Sequence, residues 1–291
     1  MTNDDASNRG RTSPDENGDD AIDAWERVGP QWERNRDRVF DAFRPASSWL
    51  IDQVDPQPGQ TILELAAGPG ETGFLAAERV GPTGRLISTD LAPSMVDAAR
   101  HGAEARGLGN VECRVMDAQH IDLPDASVDA VISRLGLMVP EPLAAFREIR
   151  RVLRPGGRLA YAVMGTPDRN QWLSLFMGAL MQHGRQPAGD NPFALGGPFG
   201  LSSPEINKQL LRDVGFSDVQ AEELSGVMSF ASATDYWDQT TALSAPVRAT
   251  MASMGPEEVA SVRATLEQML SSFESDGKYD LPTLVVVVAA S

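Results

Sequence analysis

The chain reads as an α/β protein: a mostly parallel sheet with helices on both faces and a helical cap over one end. Short β-branched runs alternate with stretches of helical spacing from Thr61 to Met164, the pattern of successive β-α-β units. The first run, Thr61-Ile62-Leu63-Glu64-Leu65, gives way to Ala66-Ala67-Gly68-Pro69-Gly70-Glu71-Thr72-Gly73 and then to helical spacing over Phe74–Val80. That is a buried strand, a tight loop and a helix start. The next three strand ends each fall on or beside a charged residue, Asp90, Asp117 and Arg134.

Residues 1–20 hold Asp, Asn, Ser and Gly with almost nothing apolar, which predicts a disordered acidic tail. Residues 21–57 turn amphipathic, with Trp25, Val28, Trp32, Val39, Phe40, Phe43, Trp49, Leu50 and Ile51. Two or three helices separated near Gly29-Pro30 and Pro45 fit that segment. Its tryptophans either pack on the core or close over a cleft as a lid. Asp55 to Gly59 turns the chain into strand one.

Residues 58–165 form the expected ligand-binding core. Arg85–Asp90 is the second strand; Pro93 opens a helix that stops at Gly107. Val111–Met116 and Val128–Ser133 are the third and fourth strands. Leu143, Phe146, Ile149, Val152 and Leu153 mark a helix face that Arg154-Pro155-Gly156-Gly157 ends, and Arg158–Met164 is strand five. Over 166–291 the alternation breaks into cap helices and the last strands. A helix spans Trp172–Met181, and a second starts at Ser203-Pro204-Glu205 and ends at Gly215. Val219–Leu224 is strand six, 232–276 is helical, and Tyr279–Ala290 is the last strand. The helical excursions are placed to cover a substrate.

Composition narrows the function. At 291 residues with 42% hydrophobic and 23% charged side chains, the chain is long enough for one substantial core. A formal charge of −16 repels phosphate backbones, so nucleic acid is excluded as the expected substrate. The crowded arginines 147, 150, 151, 154 and 158 read as a solvated helix face and its exit turn. The single cysteine, Cys113, allows no intrachain disulfide, and no His/Asp/Glu spacing suggests a metal site. The N-terminus lacks the basic and apolar regions of a secretory signal, and the longest aliphatic run, Leu284–Ala290, is short for a membrane span. The expected protein is cytoplasmic, free of membrane, a monomer or homodimer, and acts on a small molecule.

The loop alone leaves three readings open: a methyl donor, a nicotinamide or flavin cofactor, and a merely structural loop. Gly68-Pro69-Gly70-Glu71-Thr72-Gly73 fits G-x-G-x-x-G, and Asp90 follows at about the 20-residue distance of a dinucleotide site. A nicotinamide enzyme has no particular need, however, for an acid inside strand one or after strand three. S-adenosylmethionine carries an ammonium, a ribose diol and an adenine. Glu64 suits its aminoacyl end, Asp90 its two hydroxyls and Asp117 its amino group, with the backbone of Ala118 and Gln119 at the ring edge and Leu91 and Met95 on the ring faces. Ala66, Gly68 and Gly70 complete the loop. The chain also lacks a Tyr-x-x-x-Lys pair, since its only lysines are Lys208 and Lys278, and this further weakens the nicotinamide reading.

Glu64 to Gly70, Asp90-Leu91-Ala92-Pro93-Ser94-Met95, Met116-Asp117-Ala118 and Leu153-Arg154-Pro155-Gly156-Gly157 together resemble the successive motifs of class I S-adenosylmethionine-dependent methyltransferases, in the branch of the ubiquinone and menaquinone methyltransferases. The resemblance covers about 58–165. It implies a Rossmann-like, doubly wound seven-stranded sheet with an antiparallel last strand, ribose binding at Asp90 and adenine binding at Asp117. Ala66 stands where the family's first loop glycine is frequent. Transfer to an O, N or C acceptor follows from the family, against two alternatives: a protein that binds S-adenosylmethionine without turnover, and a nicotinamide oxidoreductase. His120, Arg134 and His183 are the candidate catalytic groups, with Arg134 equally suited to the cofactor's carboxylate. Trp172, Tyr236 and Trp237 read as cap packing or pocket lining, and His101 as surface.

Overall fold

The computed structural model describes residues 14–138, 141–186 and 191–291. Residues 1–13 of the expected disordered tail lie outside them, and 14–20 are helical instead. The two N-terminal helices are α1 (Pro14–Arg34) and α2 (Arg36–Val54). Both prolines expected to separate helices, Pro30 and Pro45, sit inside them, and the break falls at Asn35 instead. Asn35 is the pivot because its side-chain amide donates to Gln31 O at 2.8 Å, capping the end of α1. An interior proline costs about 3 kcal/mol, which α2 offsets by burying Val39, Phe43, Ala46, Leu50, Ile51 and Val54.

The core runs β1 (Thr61–Glu64), α3 (Glu71–Val80), β2 (Arg85–Asp90), α4 (Pro93–Ala105), β3 (Val111–Val115), β4 (Val128–Arg134), α5 (Pro142–Val152) and β5 (Leu153–Met164). The remainder runs α6 (Gln171–Gln182), α7 (Pro204–Asp213), β6 (Gln220–Phe230), α8 (Ala233–Leu243), α9 (Ala245–Ala252), α10 (Pro256–Leu270), β7 (Glu274–Ser275) and β8 (Lys278–Ala290). Strand order is β3-β2-β1-β4-β5-β8-β6, with two-residue β7 paired to β8 off that path. β1 to β5 are parallel; β8 is antiparallel to both β5 and β6. The seven-strand path and its antiparallel member match the expectation. β7 is an addition, and β6 runs to Phe230 rather than stopping at Leu224.

Both faces of the sheet are covered, which explains why the central strands are continuously apolar rather than alternating. On one face Leu63, Ile87, Val131, Leu159 and Val286 pack with Phe146 and Ile149 of α5 and Leu211 of α7. On the other, Ile62, Leu86, Ile132, Ala160 and Val287 pack with Phe43, Leu50 and Ile51 of α2 and Phe74 of α3. A third cluster, with Phe176, Tyr236, Val262, Leu266 and Leu281, builds the cap from α6, α8 and α10. Two ties fasten the N-terminal helices to that cap. Trp32 Nε1 donates to Leu243 O at 2.9 Å, and Arg38 binds both carboxylate oxygens of Asp235 at 2.8 and 3.0 Å. Because the strand order reverses between β1 and β4, the crevice of the fold opens beyond the carboxyl ends of those strands.

Candidate functional site

The loop after β1 is shaped by three left-handed residues that its sequence half reveals, Ala66, Gly68 at φ 55° and Gly70. Gly70 takes φ 87° at the N-cap of α3, a conformation glycine adopts without penalty. Ala66 takes φ 49°, and so occupies in strained form the position where the family's glycine is frequent. The opposite loop makes room for it. A Cβ at Gly136, after β4, would lie under 3.0 Å from Ala66 Cβ, so residue 136 can only be glycine while 66 is alanine. Leu135 beside it is also left-handed, at φ 63°. Strain thus gathers where β1 and β4 part.

Glu64 and Asp90 are fixed by backbone donors. Glu64 is buried at 2% exposure; its carboxyl accepts from Gly73 N at 2.8 Å and from Ser88 Oγ at 3.0 Å. A side chain at Gly73 would collide with Glu64 Oε2, which is why α3 carries glycine in its first turn. Burial pushes the Glu64 pKa up to about 8, against the two hydrogen bonds and the charge of Arg134. Glu64 is therefore a protonated brace of the loop at neutral pH. Asp90 Oδ2 accepts from Gly68 N at 2.9 Å and Oδ1 from Ala92 N at 3.0 Å. Burial raises its pKa too, opposed by those amide bonds. Each oxygen retains lone-pair capacity, since an ionised carboxylate offers about four acceptor sites.

Asp117 lies two residues beyond the end of the third strand, its side chain 34% exposed. Oδ1 accepts from Gln119 N at 2.8 Å, while Oδ2 has only the His120 ring nitrogen, at 3.6 Å. Gln119 in turn accepts from Glu141 N at 3.3 Å, and Ala118 packs against the core.

Arg134 points inward, to the first turn of α3. Its Nε donates to Thr72 Oγ1 at 3.0 Å in the first turn of α3, its guanidinium lies 5.7 Å from the Phe43 ring centroid, and Nη1 is buried without a partner. Burial lowers its pKa to about 10, opposed by Glu64 and Glu71, so it remains a cation. Thr72 also meets Ser47 of α2 at 2.9 Å. Glu71, buried, pairs with Arg36 at 3.2 Å and with Arg106. Sequence reasoning missed Thr72, Ser47, Ser88 and this ion cluster. The only signal was the run of polar residues opening an otherwise apolar helix.

Other candidates sit apart. Met95 is buried with Val28, Ala92 and Ala245 beneath α1, where it packs helices together, while Leu91 stays half-buried. His120 is 88% exposed. His183 caps α6 and meets Thr265 Oγ1 at 2.9 Å, a bond within the cap. His101 is an exposed partner of Glu33. Tyr236 donates to Trp172 O at 2.8 Å and stacks on Phe176 with Trp237, which is cap packing. Trp32 stands over the glycine loop, its Cε3 4.0 Å from where a Gly68 Cβ would be. Nor are the crowded arginines merely solvated: Arg150 donates to Gly215 O, Arg154 to Asp129, Arg158 to Gln53 O, and Arg151 is fully engaged. Among the described residues no helix is long and apolar enough to cross a membrane, and no His, Cys, Asp and Glu group has metal-binding geometry.

Residues 62–157 match the model of a methyltransferase domain family. Nocamycin O-methyltransferase of Saccharothrix syringae is 31% identical over 254 residues, covering 82% of this chain and 89% of that protein. Demethylmenaquinone methyltransferase of Listeria welshimeri is 28% identical over 156 residues, 52% of this chain and 65% of that one. The solved structure of the YcgJ protein from Bacillus subtilis superposes with a TM-score of 0.57 at 15% identity, covering 85% of this chain and 97% of that one, a likeness of fold.

Proposed function

Since the chain belongs to the S-adenosylmethionine-dependent methyltransferases, we propose that it moves the methyl group to an oxygen of a small organic acceptor. The name of the relative aligned over 89% of its length supports the acceptor class. The observation that carries the cofactor site is the Gly68 N to Asp90 bond of 2.9 Å, which joins the loop of β1 to the acid of β2. It leaves Asp90 with free acceptor sites beside a loop position that bears no side chain.

The residues present fit the cofactor. The orphaned Nη1 of Arg134 is a buried donor in want of an anion, next to the N-terminus of a helix that itself favours negative charge. Arg134 and the first amides of α3 would hold the aminoacyl carboxylate, Asp90 the ribose diol, and Asp117 Oδ2 the adenine amino group. Glu64 braces the loop from beneath. When bound, S-adenosylmethionine supplies a methyl carbon made electrophilic by a sulfonium. The chain's own contribution is to hold donor and acceptor in line and to exclude water. Positioning alone accounts for much of a displacement rate, about 7–11 kcal/mol in favourable cases. Trp32 and the cap helices α6 and α8 close that space.

Calorimetry with S-adenosylhomocysteine tests the site. Asp90→Ala is expected to weaken binding by about 1.5–3 kcal/mol, the range for hydrogen bonds to charged groups; unchanged affinity refutes the ribose role. Labelled donor with a metabolite extract tests turnover, and transfer to no acceptor would mark a binder.

A further inference from the structure

Between β3 and β4 the chain runs from Met116 to Ser127 without a helix or strand, and this stretch carries Asp117, Ala118 and Gln119. One side chain reaches three points of it. Arg151, on α5, donates from Nη2 to Ile121 O at 2.7 Å, from Nη1 to Leu123 O and Asp125 Oδ1 at 2.8 Å each, and from Nε and Nη2 to Glu148 at 2.9 and 2.7 Å. All five N–H bonds of the guanidinium are directed at an acceptor, which is the full capacity of the group. Glu148 completes the clasp by accepting from Ile121 N at 2.9 Å. Ile121 is thus gripped at both its N–H and its C=O, one residue beyond the Asp117–His120 bridge, and its side chain is buried in the core.

We propose that Arg151, with Glu148, is a positioning residue for adenine recognition: it fixes the backbone that aims Asp117 at the exocyclic amino group. This rests on the adenine role of Asp117 above. The fork geometry matters. Lysine offers three donors from a point charge and cannot serve two carbonyls and two carboxylates in one plane. The clasp grips residues 121–125 and Asp117 lies at the start of the loop, so Arg151 shapes selectivity without touching the ligand.

The test compares S-adenosylhomocysteine with S-inosylhomocysteine, in which a carbonyl replaces the amino group, by calorimetry on the full chain. The unaltered protein should prefer the adenosyl ligand by about tenfold or more, the factor a hydrogen bond to a charged acceptor confers. Asp117→Asn should abolish the preference. Arg151→Met should shrink it to within about twofold, the scale of experimental non-additivity. Arg151→Lys and Glu148→Gln should retain an intermediate preference, and they carry the measurement if the Met variant does not fold. A destabilised loop that merely lowered the folded fraction would weaken both ligands alike and leave their ratio intact; that result overturns the positioning role. An unaltered protein that binds both ligands equally overturns the Asp117 assignment, and the proposal with it.

Discussion

Gly136 faces Ala66 across the gap between β1 and β4, and replacing it by alanine tests whether the two loops are built as a pair. The new Cβ would sit under 3.0 Å from Ala66 Cβ, 3.0 Å from Ser133 Oγ and 3.4 Å from Ala66 Cα. Carbon atoms prefer about 3.5–4.0 Å, so the overlap is with a backbone-anchored methyl that no rotamer change can move aside. Overpacking of this kind costs about 1–3 kcal/mol, and the upper half of that range applies here. Ala66→Gly alone removes a left-handed alanine, a relief of about 1–2 kcal/mol, less about 0.4–1 kcal/mol for the freer unfolded chain; it should leave the protein as stable as before or slightly more so. In the Ala66→Gly background the worst contact is gone, and Gly136→Ala should then cost under about 1 kcal/mol. Urea unfolding of the four proteins gives the coupling energy directly, expected at about 1–2 kcal/mol in favour of the double variant. Equal cost of Gly136→Ala in both backgrounds, within about 0.5 kcal/mol, would mean the loops are not packed as described.

Three further expectations concern the buried charges and the lid. Glu64 is raised from 4.5 to about 8, so the native state holds its proton more tightly; the associated stability is complete below 4.5 and is lost as pH rises toward 8, on the order of 5 kcal/mol in all. Glu64→Gln can keep both the Gly73 and Ser88 bonds, and it should flatten stability across that window; an unchanged slope between pH 5 and 8 in denaturant titrations would refute the assignment. Arg134→Ala should weaken S-adenosylhomocysteine about tenfold but leave 5′-methylthioadenosine, which has no carboxylate, unaffected. Equal weakening of both places Arg134 elsewhere. Trp32→Phe removes the N–H that reaches Leu243 O and should accelerate release of S-adenosylhomocysteine in stopped-flow measurements, with an unaltered rate counting against a lid.

The strand ends were legible because the forces that make them are local. A β-branched run buried on both faces has few alternatives, and an acid that closes such a run stands at the sheet's carboxyl edge. Asp90 stands out that way, whereas Asp117 follows β3, a half-buried edge strand, by two residues. The helix break at Asn35 was hidden because the local rule, that proline ends helices, gave way to burial of the α2 face. β6 was read short because Gly226 and two serines dilute its pattern; its last residues are strand by virtue of pairing with Tyr279 to Thr283. Arg134 stood out by its place at the end of β4, but its direction depends on Thr72 and Phe43, which lie on other elements. The Arg151 clasp was invisible for a related reason: two of its partners are main-chain carbonyls, whose positions no side-chain pattern encodes.

The ties between the N-terminal helices and the cap set an order on synthesis. Trp32 finds the acceptor for its indole N–H only at Leu243, 211 residues later, and Arg38 meets Asp235 after 197. At ribosomal speeds of about 5–20 residues per second, the nascent helices wait some ~10–40 s for those partners. For most of that interval the glycine loop has been made while the helix that α1 and α2 are tied to has not, so the N-terminal segment is held in its final place only once α8 is complete.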